Sequence, residues 1–123
     1  MNNSSIGFVG EIENLTLQNS NYRHVIYTSK HMQLVLMVLK PGEEIGMEVH
    51  EGHDQFFRIE EGEVTVLLGS EEHILKADMV LIVPAGVQHN VINKSAEVVK
   101  LYTIYAPPQH PAGTLQERKP VED

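Results

Sequence analysis

Nine short runs rich in β-forming residues follow one another along this chain, and turn residues separate them. The runs cover residues 24–29, 32–39, 45–49, 55–60, 63–68, 72–75, 79–83, 87–92 and 98–105. Pro41-Gly42, Glu61-Gly62, Gly69-Ser70, Pro84-Ala85-Gly86 and Asn93-Lys94-Ser95 punctuate them. Such spacing predicts an all-β sandwich or barrel. With 123 residues the chain has the usual size of one domain, enough to bury a core without staples. It has no cysteine, which excludes disulfides, thiolate metal sites and a cysteine nucleophile.

The faces of the runs carry the next inference. Gln55, Phe57 and Ile59 alternate with Phe56, Arg58 and Glu60, so one set points inward and the other outward. Run 32–39 is apolar on both faces apart from Gln33. Run 98–105 has Val99, Leu101 and Tyr105 on one face and Val98, Tyr102 and Ile104 on the other. Strands apolar on both sides predict a homodimer through the outer face, the alternative being that the terminal segments fold back over it. The expected organisation is an N-terminal arm or edge strand over 1–22, a barrel over 23–106, and a tail over 107–123. The tail, proline-rich and poor in apolar residues, is expected to be disordered or to lie as an arm on the barrel.

A net charge of −8, with only nine Lys and Arg, argues against a nucleic-acid partner. The first ten residues lack the basic start and apolar run of a signal peptide, and 34–39 is far too short to cross a membrane. The expectation is a cytoplasmic protein with a small-molecule ligand, no nucleic acid and no membrane.

Polar residues stand where an apolar interior is expected. Glu48 and His50 are two apart on a β-run and project to one face. Gln55 opens the next run across a turn containing Gly52, and His89 lies on a later run between Val87 and Val91. If those faces meet inside one barrel, a carboxylate, an amide oxygen and two imidazoles converge where unpaired polar groups are costly, and a shared divalent cation relieves that cost. One carboxylate with neutral Gln and His suits Mn, Fe, Ni, Co or Zn. The plainer readings are a strand-end charge for Glu48, a satisfied core histidine for His50 or His89, and a hydrogen-bonded buried amide for Gln55. Phe57, Ile59 and Val91 are expected as core or pocket lining, and His53 as a mouth residue with a conceivable acid–base role. Arg58 reads as a surface or interface residue. His24, His31, His73 and His110 have no partner pattern.

The segments 42–62 and 78–93 resemble the paired motifs of the cupin superfamily. The first motif runs Gly, five residues, His-x-His, three or four residues, Glu, six residues, Gly. The second runs Gly, five residues, Pro-x-Gly, two residues, His, three residues, Asn. Gly42, Gly62, Pro84, Gly86, His89 and Asn93 match in register. The resemblance implies a double-stranded β-helix, the jelly-roll or cupin barrel, as a single domain. Three positions depart: Glu48 stands for the first His, Gln55 for the Glu, and Asp78 for the opening Gly, where Asp tolerates turn geometry. The ligand charge stays that of a three-His, one-Glu set. The composition Glu, Gln, His, His also resembles the metal site of the cupin-type mannose-6-phosphate isomerases, with Gln and Glu exchanged.

That resemblance implies a metal-dependent isomerase-like enzyme for a small sugar or hydroxy-carbonyl compound. The absence of an obvious base or phosphate-binding Arg cluster counts against it. A metal-dependent dioxygenase and a non-catalytic small-molecule binder are the alternatives.

Overall fold

The structure, a computed structural model, describes residues 6–121. Helix α1 (Ile12–Gln18) precedes β1 (Arg23–Thr28), β2 (Gln33–Leu39), β3 (Asp54–Glu61), β4 (Glu63–Leu68), β5 (Glu71–Lys76), β6 (Val80–Val83), β7 (His89–Ile92), β8 (Val99–Ala106) and β9 (Leu115–Gln116). All strand pairings are antiparallel, in a six-stranded sheet β6-β3-β8-β2-β1-β9 and a three-stranded sheet β5-β4-β7. The fold is all-β, as the punctuation implied, and is the double-sheet barrel that the resemblance to the cupin motifs implied.

Alternation sorts the side chains. Val35, Met37 and Leu39 of β2 lie opposite Thr103, Leu101 and Val99 of β8, and all six are wholly buried. Phe57 and Ile59 of β3, Val64 and Val66 of β4, and Val91 of β7 complete the interior. Each such aliphatic or aromatic side chain stabilises the fold by about 1.5–3 kcal/mol through burial.

The predicted strand over 45–49 is not continuous. Glu44 and Glu48 form isolated bridges to Ile92 and His89, and Gly46, at φ 111°, breaks the run between them. The amide of Gly46 instead donates to Asn90 Oδ1 at 2.9 Å. The segment therefore follows β7 as a kinked edge rather than a pleated strand.

The N-terminal segment, expected as an arm or edge strand, contains α1. The helix has seven residues and no side-chain N-cap, too short to show a helical period or to persist without tertiary contacts. It packs on the outside of β2, β3 and β8, and Lys100 Nζ donates to the Leu17 carbonyl near its C-terminus. Leu36 and Val38, on the outer face of β2, are buried. The terminal segment thus covers one part of the outward apolar surface.

Gln33, the polar exception in β2, is wholly buried and fully bonded. Its Nε2 donates to Thr28 Oγ1 and the His110 carbonyl, and its Oε1 accepts from the amides of Gln109 and His110. The tail is thereby fastened to the barrel, and β9 pairs with β1 through Arg23–Gln116 and His24–Leu115.

Gly62 joins β3 to β4 at φ 94°, and a Cβ there would lie 2.9 Å from the Val98 carbonyl oxygen and from Val99 Cγ2. Gly69, at φ 60° between β4 and β5, would meet nothing within 4 Å. Urea unfolding of Gly62→Ala is expected to show a loss of about 2–5 kcal/mol, left-handed strain plus overpacking, against about 1–2 kcal/mol for Gly69→Ala from strain alone. Equal losses would contradict the close approach at Gly62.

Candidate metal centre

His89 stands at the start of β7 and is 1% exposed. Its Nδ1 donates to the Val87 carbonyl at 2.9 Å, which puts the ring proton on Nδ1 and leaves a lone pair on Nε2. That Nε2 is buried and has no hydrogen-bond partner. Paired amides and carbonyls of Glu48 and His89, both at 2.9 Å, hold Glu48 beside it. Glu48 Oε1 lies 4.0 Å from His89 Nε2 and 3.2 Å from His50 Nε2. The rings of His50 and His89 are 5.4 Å apart. One potential ligand atom from each of Glu48, His50 and His89 falls within 4.8 Å of the others, a spacing a single cation can span.

Gln55 opens the inward face of β3 and is 2% exposed. Its Nε2 donates to Thr103 Oγ1 at 3.0 Å, while its Oε1 is buried without a partner. It faces Tyr105 across the β3–β8 pairing, and the Tyr105 ring stands edge-on to His50 at 5.8 Å. Glu48, His50 and His89 bring one carboxylate and two imidazoles together, a candidate donor set for a borderline divalent cation, and the buried Gln55 oxygen is a further acceptor without a partner. The residues fit such an ion.

The remaining predicted residues separate. Phe57, Ile59 and Val91 belong to the core cluster, and Phe57 also meets the His89 ring at 6.3 Å. His53 lies 5.8 Å from His50, ring to ring, with its Nδ1 buried and unpartnered. Arg58 points outward and pairs with Asp78 at 3.0 Å and Glu60 at 3.7 Å. Asp78 adopts φ 74°, a left-handed turn at the motif position usually held by glycine. Tyr102 faces outward beside Phe56.

Beside the site, sequence reasoning left open whether Tyr105 or Tyr102 faces inward and assigned no role to His110 or Arg23. Tyr105 lies inside the barrel, and burial foremost, with the charge of Glu48, raises its phenol so that it stays protonated. His110 arrives on the tail, its Nε2 3.4 Å from the Tyr105 hydroxyl. Burial first, then Arg23 and His50, push its imidazole down to about 4. Arg23, at the start of β1, is 8% exposed and stacks over Tyr22. Thr103, a hydroxyl on an otherwise apolar inward face, was the available signal for β8. No local pattern marks His110, whose position depends on Gln33.

A two-sheet antiparallel barrel that brings Glu48, His50 and His89 together is a cupin-type fold with a candidate metal site. The chain belongs to the cupin family: the model of the cupin domain matches residues 35–105. The YrkC protein of Bacillus subtilis is 47% identical over 118 residues, which cover 91% of this chain and 63% of that one. The L612 protein of Acanthamoeba polyphaga mimivirus is 44% identical over 124 residues, 98% of this chain and 78% of that one. The chain thus spans less than two-thirds of the Bacillus subtilis relative. The crystal structure of BH2720 from Bacillus halodurans is similar at a TM-score of 0.90 with 40% identity, covering 94% of this chain and 92% of that one. Among the described residues, no helix is long and apolar enough to cross a membrane.

The neutral His110 gives the fold a pH dependence. Between pH 6.5 and about 4 the unfolded chain takes up a proton at this imidazole and the folded chain does not. Its contribution to stability is therefore full above that window and falls as the pH drops through it. Acidification from about pH 7.5 to about pH 4.5 should cost the wild type about 1 kcal/mol more than His110→Gln, solvent screening of this half-buried group included. Parallel melting curves across that range would contradict the placement.

Proposed function

We propose that this chain is a metal-dependent cupin that acts on a small sugar-like or hydroxy-carbonyl compound in isomerase-like chemistry. The observation that carries the metal is the buried His89 Nε2, which has no hydrogen-bond partner in the chain and lies beside Glu48 and His50. Glu48, His50 and His89 would hold the cation and Gln55 Oε1 would complete the set. The bound cation, one of Mn, Fe, Co, Ni or Zn, supplies a Lewis acid for a carbonyl or hydroxyl oxygen.

The chain's own residues supply the rest. The phenol of Tyr105 and the imidazole of His53 are the proton-carrying groups next to His50. His110 fixes the Tyr105 hydroxyl from the tail side. Phe57 and the core behind it keep water from the inner side of His89.

Protein purified without added metal is expected to carry close to one divalent cation per chain by elemental analysis. Glu48→Ala and His89→Ala should lower the content by about 10-fold or more. Chelation should lower the wild-type Tm by several degrees, since a cation at about 100 times its Kd contributes about 2.7 kcal/mol. A metal-free wild type with an unchanged Tm would overturn the reading.

A second copy of the chain is the proposed partner. Tyr27, Leu34, Ile104, Phe56 and Ile82 lie in register across five adjacent strands. Ile82 is 63% exposed, and Phe8 and Met32 extend the patch at the other end. Helix α1 covers the neighbouring Leu36 and Val38, whereas this row is a part of the outward face still open to self-association. Light scattering is expected to give a dimer for the wild type and a monomer with unchanged metal content for Ile82→Asp. A monomeric wild type would remove the proposal.

A further inference from the structure

Beside Glu48 runs a groove of about 240 Å³ lined by Tyr22, Arg23, Ile45, Glu48, Lys119 and Pro120. Two of those residues are cations, although the chain as a whole is strongly acidic. Arg23 is more than nine-tenths buried. Its Nη1 donates to the Gln116 side-chain oxygen, a neutral partner, and its Nε is buried with no partner at all. Among the described residues, no carboxylate lies within 4.0 Å of the guanidinium. The nearby Glu48 oxygen is turned toward His50 and His89. A buried guanidinium without a counter-ion is costly, and a bound anion relieves that cost.

The charge at this end of the barrel makes the same point. With a divalent cation on Glu48, His50 and His89, two carboxylates, Glu48 and Glu43, whose charges both reach Tyr22, face the cation, Arg23 and Lys119. Positive charge is left over. The charge of Arg23 opposes the rise that burial causes at Tyr105 and adds to the lowering that burial causes at His110, so its field reaches across the site. A guanidinium presents a planar fork of donors that matches a carboxylate, while the ammonium of Lys119 at the rim adds a point charge.

We infer that the groove beside Glu48 is a carboxylate-binding subsite, with Arg23 at its base and Lys119 at its rim, and that the ligand of the metal centre is a small hydroxy or keto acid. The inference rests on the metal reading: the acid's hydroxyl or carbonyl oxygen faces the Glu48–His50–His89 centre while its carboxylate meets Arg23. This also resolves the lack of an Arg cluster, because one guanidinium with one lysine suits a carboxylate better than a phosphate. The subsite is closed on one side by the tail, whose Gln116 and Lys119 reach it only because β9 pairs with β1.

The probes are glycolate and glycolamide, which differ only in the charge of one group. Calorimetric titration of the metal-loaded protein is expected to show glycolate binding at least about 10-fold more tightly than glycolamide, a difference of about 1.4 kcal/mol. Arg23→Gln should abolish that preference at unchanged metal content. Lys119→Ala, at a half-buried rim position that can be altered without disturbing the core, should reduce it several-fold. Equal binding of the two probes by the metal-loaded wild type, or an unchanged preference in both variants, would overturn the subsite. If Arg23→Gln does not fold, the Lys119→Ala titration decides alone, an unchanged preference counting against the proposal. Metal content measured on the same samples separates the two readings. A protein that holds no metal yet prefers glycolate through Arg23 keeps the subsite and loses the metal centre. A loaded protein indifferent to charge does the reverse.

Discussion

The bridge between Glu48 and His89 is the constraint on which the site depends. Two backbone hydrogen bonds at 2.9 Å bind residues far apart in sequence, one on a kinked edge and one opening β7. The side chains at both positions then face inward together, and His50 follows two residues later. Gly46 is what permits this, since its left-handed backbone lets the edge leave β7 after Glu44 and return at Glu48. A residue with a Cβ at Gly46 would strain that turn and displace the carboxylate from the imidazoles.

Polar burial explains why such a site persists inside a small barrel. Most buried polar atoms here are fully bonded: Gln33 clasps the tail, and Asn93 joins Leu39, Ser95 and Glu97 around one turn. Each such network fixes a piece of chain that the apolar core alone would leave loose. Against that background the unpartnered atoms stand out: those of His89, Gln55, His53 and Arg23 toward the Glu48 end, and those of Arg58 and Glu60 on the outer face of β3. A buried unsatisfied group costs about 1–3 kcal/mol, more when charged. Four of the six atoms lie toward the Glu48 end of the barrel, the end at which the proposed ligands would complete the bonding.

Much of this was legible in the sequence. The turn pairs delimited the strands, and the resemblance of the segment from Gly42 to Asn93 to the cupin motifs implied the barrel and the convergence of Glu48, His50 and His89. Asp78 could be read as a turn despite replacing glycine, because a short polar side chain supports the left-handed conformation it adopts. The same-face argument for Glu48 and His50 reached the right neighbours by an incomplete route, since the segment is held by single bridges and not by a continuous ladder. What escaped was everything set by long-range packing. Helix α1 is too short to announce itself, and its stability comes from the sheet beneath it. His110 reaches Tyr105 only because Gln33, seventy-odd residues earlier, captures the tail. Arg23 looks like an ordinary strand-end cation until β9 covers it.

X-ray absorption at the metal edge of protein loaded with a single divalent cation tests the centre most directly. Two imidazole nitrogens and oxygen donors around the ion are expected, with one imidazole lost in His89→Ala and an oxygen lost in Glu48→Ala. A first shell of water and carboxylate oxygens alone, unchanged by either substitution, would place the ion elsewhere on this acidic chain and contradict the account.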